Sequence, residues 1–176
     1  IEASMAFGTG HHGTTRGCLL ALNNLIEKGK KIDDVIDIGC GTAVLAMAVA
    51  KVSSARVIAS DVDQVAVEVA LANLKANKLE NRIVCFQATG FEHTEIKSNA
   101  PFDLIFANIL KSPLIDLASS IRKYLKSNGH AIISGILDIQ AYEIIEVYRQ
   151  NKLVVLDRID IDEWVTLTLI SSEQEF

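Results

Sequence analysis

Val35-Ile36-Asp37-Ile38-Gly39-Cys40-Gly41-Thr42-Ala43 is an apolar strand running into a turn with two glycines, and Asp61 stands twenty positions beyond Gly41. A helix-forming run follows the turn, and the acid closes the next apolar run. This order of features builds a pocket for a nucleoside-bearing cofactor on an α/β sheet. The glycines let backbone approach the ligand, and the acid can accept hydrogen bonds from both ribose hydroxyls.

The third glycine of a dinucleotide fingerprint is missing. G-x-G-x-x-G would put Gly or Ala at position 44, where this chain has Val44, whose branched side chain would crowd a pyrophosphate. Asp-x-Gly-x-Gly followed by a bulky residue suits S-adenosylmethionine, which carries no phosphate. The reading is a methyltransferase, with an NAD-binding oxidoreductase as its competitor. A methyltransferase of a small molecule or another protein, and a non-catalytic cofactor-binding module, are further alternatives, because fold does not fix substrate.

Outward from this stretch the pattern repeats. Thr14 to about Glu27 carries a helical stripe of Cys18, Leu19, Leu22, Leu25 and Ile26. Strands are expected at Asp34–Ile38, Arg56–Ser60, Ile83–Gln87, Phe102–Ala107 and His130–Ser134. Helices are expected at Ala43–Lys51, from a cap at Asp63 to about Asn77, at Pro113–Leu125 and at Ile139–Asn151. In the Asp63 helix, Val65, Val69, Leu71 and Leu74 mark the expected buried side. Asn128-Gly129 reads as a turn, and Leu153–Ile161 with Trp164–Ile170 as a closing antiparallel hairpin. The fold class is α/β, Rossmann-like, with a mostly parallel seven-stranded sheet. Ligands bind such sheets at the carboxyl ends of the strands, where Gly39–Thr42, Asp61 and Asn108 would meet.

The 176 residues suffice for one domain with helices on both sheet faces. Residues 1–31 read as a flap and helix, and 32–176 as the cofactor-binding core. The chain begins at Ile1, which fits a piece of a longer protein. Three cysteines without metal or disulfide spacing fit a reducing cytoplasm. No apolar run is long enough to span a bilayer. A net charge of −5 with scattered lysines argues against direct contact with nucleic acid and suits a basic protein or a small molecule as partner. The expected state is a monomer.

Several side chains stand out as candidates for chemistry. Asp37, set among Val and Ile, needs partners and could orient the glycine turn or attract a cationic sulfonium. Phe7-Gly8-Thr9-Gly10-His11-His12-Gly13-Thr14-Thr15 reads as a polar flap over cofactor or substrate. His11-His12 lacks the convergent ligands a metal needs, so no metal site is expected. Asn108, closing an apolar strand, could accept a hydrogen bond from a nucleophilic amine and aim its lone pair. Trp164 is read as hairpin core or as substrate surface, and His93 and His130 as surface or structural.

Taken together, Met5–His12 with Thr14-Thr15, Asp37–Ala43, Ala107-Asn108-Ile109-Leu110 with Pro113-Leu114, Ser134-Gly135-Ile136-Leu137 with Gln140, and Glu163–Leu167 resemble the PrmA family. These are methyltransferases of large-subunit ribosomal protein eleven. The resemblance implies S-adenosylmethionine as cofactor, and amino groups (lysine side chain, N-terminal amine, or both) of a large-subunit ribosomal protein as substrate. It implies that Phe7, Thr9, Thr14 and Thr15 enclose the cofactor and reacting centre, that Gly39 and Asp61 bind S-adenosylmethionine, and that Asn108 faces the methyl-transfer site. Gly10, Asp37, Gly41, Thr89 and Asn108 are expected as further cofactor contacts, with Asn108 and Thr15 catalytic. Family members usually carry an N-terminal substrate-recognition domain, expected to be absent from this chain. Two departures stand out. Gly13 replaces a more usual proline or other non-glycine residue, which would loosen the flap. Ala88-Thr89-Gly90 lacks the acid that often binds adenine, leaving backbone groups with Thr89 and Phe91 as candidates.

Overall fold

The computed structural model describes residues 12–172. Seven strands form one sheet: β1 (Asp34–Ile38), β2 (Arg56–Asp61), β3 (Ile83–Gln87), β4 (Phe102–Asn108), β5 (Leu125–Leu137), β6 (Leu153–Ile161) and β7 (Trp164–Ser171). Their spatial order is β3-β2-β1-β4-β5-β7-β6. The pairs from β3 through β5 are parallel, and β7 is antiparallel to both β5 and β6.

The helices are α1 (Gly13–Glu27), α2 (Val44–Val52), α3 (Gln64–Ala76), α4 (Thr94–Asn99), α5 (Lys111–Tyr124) and α6 (Asp138–Gln150). Strand periodicity sorts the core into two layers. Val35, Leu104 and Phe106 pack with α1, α2 and α3 residues such as Leu22, Met47 and Leu74. Ile36, Ile105 and Ala107 point the other way, onto Ile96, Leu114, Ile121, Ile144 and Tyr148 of α4, α5 and α6. Tyr148 is fully buried, and its hydroxyl donates to the Leu114 carbonyl at 3.0 Å, so the polar atom is satisfied.

The strand order reverses direction between β1 and β4. That switch point opens a crevice at the carboxyl ends of these two strands, after Ile38 and at Asn108.

The structure departs from the sequence reading in four places. A short helix, α4, is added after β3, capped by the His93 ring accepting from the Glu95 N–H at 3.2 Å. The buried side of α3 is Ala66, Val67, Ala70 and Leu74, whereas Val65 and Leu71 are exposed; small residues let this helix lie close on the sheet. Helix α5 starts two residues before Pro113, which sits in the first turn where its missing N–H costs nothing.

Finally, Asn128-Gly129 lies inside β5 instead of ending a loop. Register jumps from Phe102↔Leu125 to Leu104↔His130, so the extra residues bulge out of the strand. Within the bulge, Lys126 reaches Asp34 at 2.7 Å and Asp103 at 2.9 Å, tying the amino ends of β1, β4 and β5 together.

Candidate functional site

The turn after β1 owes its shape to three left-handed residues, Gly39 (φ +68°), Gly41 (φ +52°) and Ala43 (φ +61°). The N–H groups of Gly39 and Cys40 both donate to the Ser60 carbonyl, at 2.8 and 3.0 Å, which curls the turn over the end of β2. Asp61 is half-buried there. Its Oδ2 accepts from the Gly41 N–H at 2.9 Å and its Oδ1 from the Asp63 N–H at 3.0 Å. Each carboxylate oxygen therefore keeps a further lone pair for a ligand hydroxyl. Asp63 is separately occupied, capping α3 through the Val65 N–H at 2.9 Å.

Asp37 is 1% exposed and accepts from the Ala46 N–H in the first turn of α2 at 3.1 Å. Burial is the main cause that pushes its carboxyl up to about 7; the Asp61 charge adds to this and the Ala46 hydrogen bond opposes it. The ordinary value is 3.8, so between these limits the folded chain holds a proton that the unfolded chain has lost. Stability from this group therefore falls as pH rises through that window. Asp37→Asn keeps an acceptor for Ala46 without the charge. The variant is expected to gain at least ~1 kcal/mol on wild type between about pH 5 and about pH 8, read by thermal melts at both. A constant difference would show that Asp37 is ionised throughout.

At the other lip, Asn108 ends β4, half-buried, and its side-chain amide has no hydrogen bond with any described residue. Its neighbour Ile109 holds it in place, a role that sequence reasoning missed. A Cβ added at Gly39 would meet Ile109 Cγ2 at 2.3 Å, and one added at Gly135 would meet the Ile109 carbonyl oxygen at 2.2 Å. Ile109 thus threads between the cofactor turn and β5, with its N–H donating to the Ser134 carbonyl at 3.2 Å. The only sequence signal was glycine at two strand ends, and the packing partner of each lies far away along the chain.

Helix α1 crosses the sheet with its amino end at the same rim. Gly17 admits this approach, since a Cβ there would fall 2.2 Å from Thr166 Oγ1. Thr166 in turn hydrogen-bonds Ser134 at 2.9 Å. The Thr14 hydroxyl is bonded to His12 Nδ1 at 2.9 Å, and the His12 ring leans on Trp164 with centroids 4.9 Å apart. Gly13 makes room for this contact, since a Cβ would come within 3.1 Å of Trp164; the flap before His12, whose looseness the sequence reading ties to Gly13, lies outside the described residues. Trp164 is half-buried at the rim. Thr15 is 1% exposed and its hydroxyl has no partner among the described residues.

Thr89 is exposed just past β3, next to Ala88, whose N–H donates to the Asp61 carbonyl at 2.9 Å. Phe91 does not face this mouth. Its ring is buried and stacked on Tyr124 at 4.8 Å, so it belongs to the core and not to an adenine site. His93 caps α4 and stacks on Phe86 at 4.1 Å, and His130 is buried in β5; both are structural. Cys40 and Cys85 are free, and the Cys40 thiol is held well above its ordinary value by its hydrogen bond with Cys85 and by burial. Phe7, Thr9, Gly10 and His11 lie outside the described residues.

These groups fit S-adenosylmethionine. The turn offers close backbone approach, Asp61 has lone pairs for ribose, and buried Asp37 braces the turn from beneath by accepting from the Ala46 N–H. The hydroxyl of Thr15 and the side-chain amide of Asn108 are polar groups without a hydrogen-bond partner among the described residues. Two residues past Asn108, a cleft of about 310 Å³ opens between Leu110, Lys111, Ser112, Gly135, Leu137, Gln140 and Trp164.

The family model described as "Ribosomal protein L11 methyltransferase (PrmA)" matches residues 1–171. A curated ribosomal protein L11 methyltransferase of Bradyrhizobium diazoefficiens is 44% identical over 169 residues, covering 96% of this chain and 57% of the relative. One from a Caulobacter species is 43% identical, with 96% and 58% covered. The chain thus spans under three-fifths of the length of these relatives. The crystal structure of a ribosomal protein L11 methylase from Lactobacillus delbrueckii subsp. bulgaricus superposes with a TM-score of 0.84 at 25% identity, covering 98% of this chain and 84% of that one. An S-adenosylmethionine-dependent methyltransferase from Clostridium acetobutylicum shares the fold, with a TM-score of 0.73 at 14% identity and coverages of 93% and 94%.

Proposed function

The chain belongs to the family of ribosomal protein L11 methyltransferases, and from that premise we propose that it transfers the methyl group of S-adenosylmethionine to amino groups of ribosomal protein L11. The observation that carries this reading is the side-chain amide of Asn108, without a partner among the described residues and set at the switch point beside the glycine turn. S-adenosylmethionine supplies an electrophilic methyl on sulfur. The protein's part is to bind, orient and exclude water. Asp61 takes the ribose hydroxyls, and the backbone of Gly39–Gly41 lies against the cofactor.

Asn108 Oδ1 accepts a hydrogen bond from the incoming amine and points its lone pair at the methyl. A free lysine amine, with a pKa near 10.4, is only about 0.04% neutral at pH 7. Desolvation in the crevice shifts it towards the neutral, nucleophilic form. No described side chain is placed as a strong general base, so positioning supplies most of the rate, on the order of 7–11 kcal/mol for well-oriented reactants. Helix α1 sets its amino end at the rim of the site, and the described core from residue 32 to residue 172 holds the cofactor. The enzyme works as a cytoplasmic monomer without direct nucleic-acid contact, in keeping with its net charge of −5. No described helix is long and apolar enough to cross a membrane.

Labelled methyl transfer to isolated ribosomal protein L11 tests this reading. Label in the protein is expected, and intact cofactor binding without transfer overturns the substrate. The cofactor is tested through Asp61. Asp61→Ala removes the ribose acceptor and frees the Gly41 and Asp63 N–H groups. It is expected to weaken S-adenosylhomocysteine binding by about 10–100-fold in calorimetric titrations. Unchanged binding, or tighter binding of NAD by wild type, overturns the assignment.

A further inference from the structure

The three most exposed large apolar side chains among the described residues are Ile139 (86%), Tyr142 (79%) and Leu110 (72%). Scattered exposed apolar residues are ordinary, but a cluster beside a cleft marks a contact surface. These three cluster. Ile139 and Tyr142 are three apart in α6, so they share a helix face. Leu110 is the N-cap of α5, two residues past Asn108. Lys111, next in the chain, pairs with Glu143 of α6 at 2.6 Å, which brings the two helix starts together.

The charges around this patch are unbalanced. Lys111 is taken by Glu143, and Arg158 by Asp138 and by Asp160, the latter at 2.8 Å. At the turn of the β6–β7 hairpin, Asp162 and Glu163 are exposed and form no ion pair among the described residues. Glu163 adjoins Trp164 on the cleft wall, and its carbonyl accepts from the Asp138 N–H at 3.0 Å. An apolar patch with a surplus of negative charge complements a basic segment that carries its own apolar side chains.

We propose that Leu110, Ile139 and Tyr142 form the docking surface for the amine-bearing, basic segment of the protein substrate, delivering its amino group through the adjoining cleft to Asn108. The proposal rests on the L11 methyltransferase reading and names where on this chain the substrate is held. All three side chains stand in solvent, so their replacement leaves the core untouched.

The test is steady-state methylation of ribosomal protein L11 by wild type and by the triple variant Leu110→Ser, Ile139→Ser, Tyr142→Ser. Val52→Ser with Val84→Ser, exposed elsewhere (59% and 52%), serves as a control. The triple variant is expected to raise KM for L11 by about tenfold or more, with kcat and the S-adenosylhomocysteine Kd within about twofold of wild type, and the control to change none of these. Transfer with an unchanged KM overturns the docking surface while leaving the methyltransferase reading in place. A wild-type chain that moves no methyl to L11 overturns that reading, and the docking surface with it. Sedimentation that shows a wild-type dimer broken by the triple variant assigns the patch to a second copy and also overturns the proposal.

Discussion

Asn108→Ala is expected to lower methyl transfer by about 10²–10³-fold while the dissociation constant for S-adenosylhomocysteine moves by less than about twofold. The large loss follows from what the amide would do. An incoming amine has rotational freedom, and a single fixed acceptor, Oδ1, selects the orientation in which its lone pair faces the methyl. The small change in binding follows from the proposed division of roles, in which Asp61 and the Gly39–Gly41 turn would hold the cofactor from the other lip of the crevice. Asn108→Asp makes a useful companion. It keeps an acceptor but adds a charge that would favour the protonated amine, so its activity should also fall and should recover in part at higher pH. Parallel losses in transfer and in cofactor affinity for Asn108→Ala would mean that the residue holds cofactor and does not aim the nucleophile.

The second large effect is expected at Gly135. An alanine Cβ there would lie 2.2 Å from the Ile109 carbonyl oxygen and 2.8 Å from its carbonyl carbon, and the residue holds φ +89°. Backbone atoms cannot swing aside as a flexible side chain can, so the strand end must shift. Gly135→Ala should cost about 3 kcal/mol or more of stability, a fall in Tm on the order of 6–12 °C for a chain of this size. The protein that remains folded should transfer methyl poorly, since Ile109 and with it Asn108 are displaced. Gly29→Ala sets the scale for strain alone: it has a similar φ of +66° but nothing within 4 Å of the added Cβ, and should cost about 1 kcal/mol. Equal costs at the two positions would refute the clamp around Ile109.

These two predictions mark what the sequence could and could not reveal. Strands β1 and β3 were legible residue for residue, and the closing hairpin to within one, because the buried strand β1 and the edge strand β3 each read as a short apolar, β-branched run and the hairpin as two such runs across a turn. The cofactor turn was legible because its glycines and Asp61 are set by local chain geometry. Helix α4 escaped because six residues with a single buried side chain, Ile96, carry no periodicity. The buried face of α3 was read correctly at Leu74 but misread at Val65 and Leu71, because Ala66, Val67 and Ala70 meet the sheet instead. Ile109 stands in the Ala107-Asn108-Ile109-Leu110 stretch, but its packing role could not be read there. Its function depends on glycines roughly seventy residues before it and twenty-six after it, which only the folded sheet brings together.

The most direct test of the central claim is the intact mass of ribosomal protein L11 after incubation with this chain and S-adenosylmethionine, run beside L11 whose amino groups have first been acetylated. Methyl-sized increments on the untreated protein and none on the acetylated one are expected. Increments on both would place the methyl on some group other than an amine. An unchanged mass in both, with cofactor binding measurable, would contradict the assigned substrate.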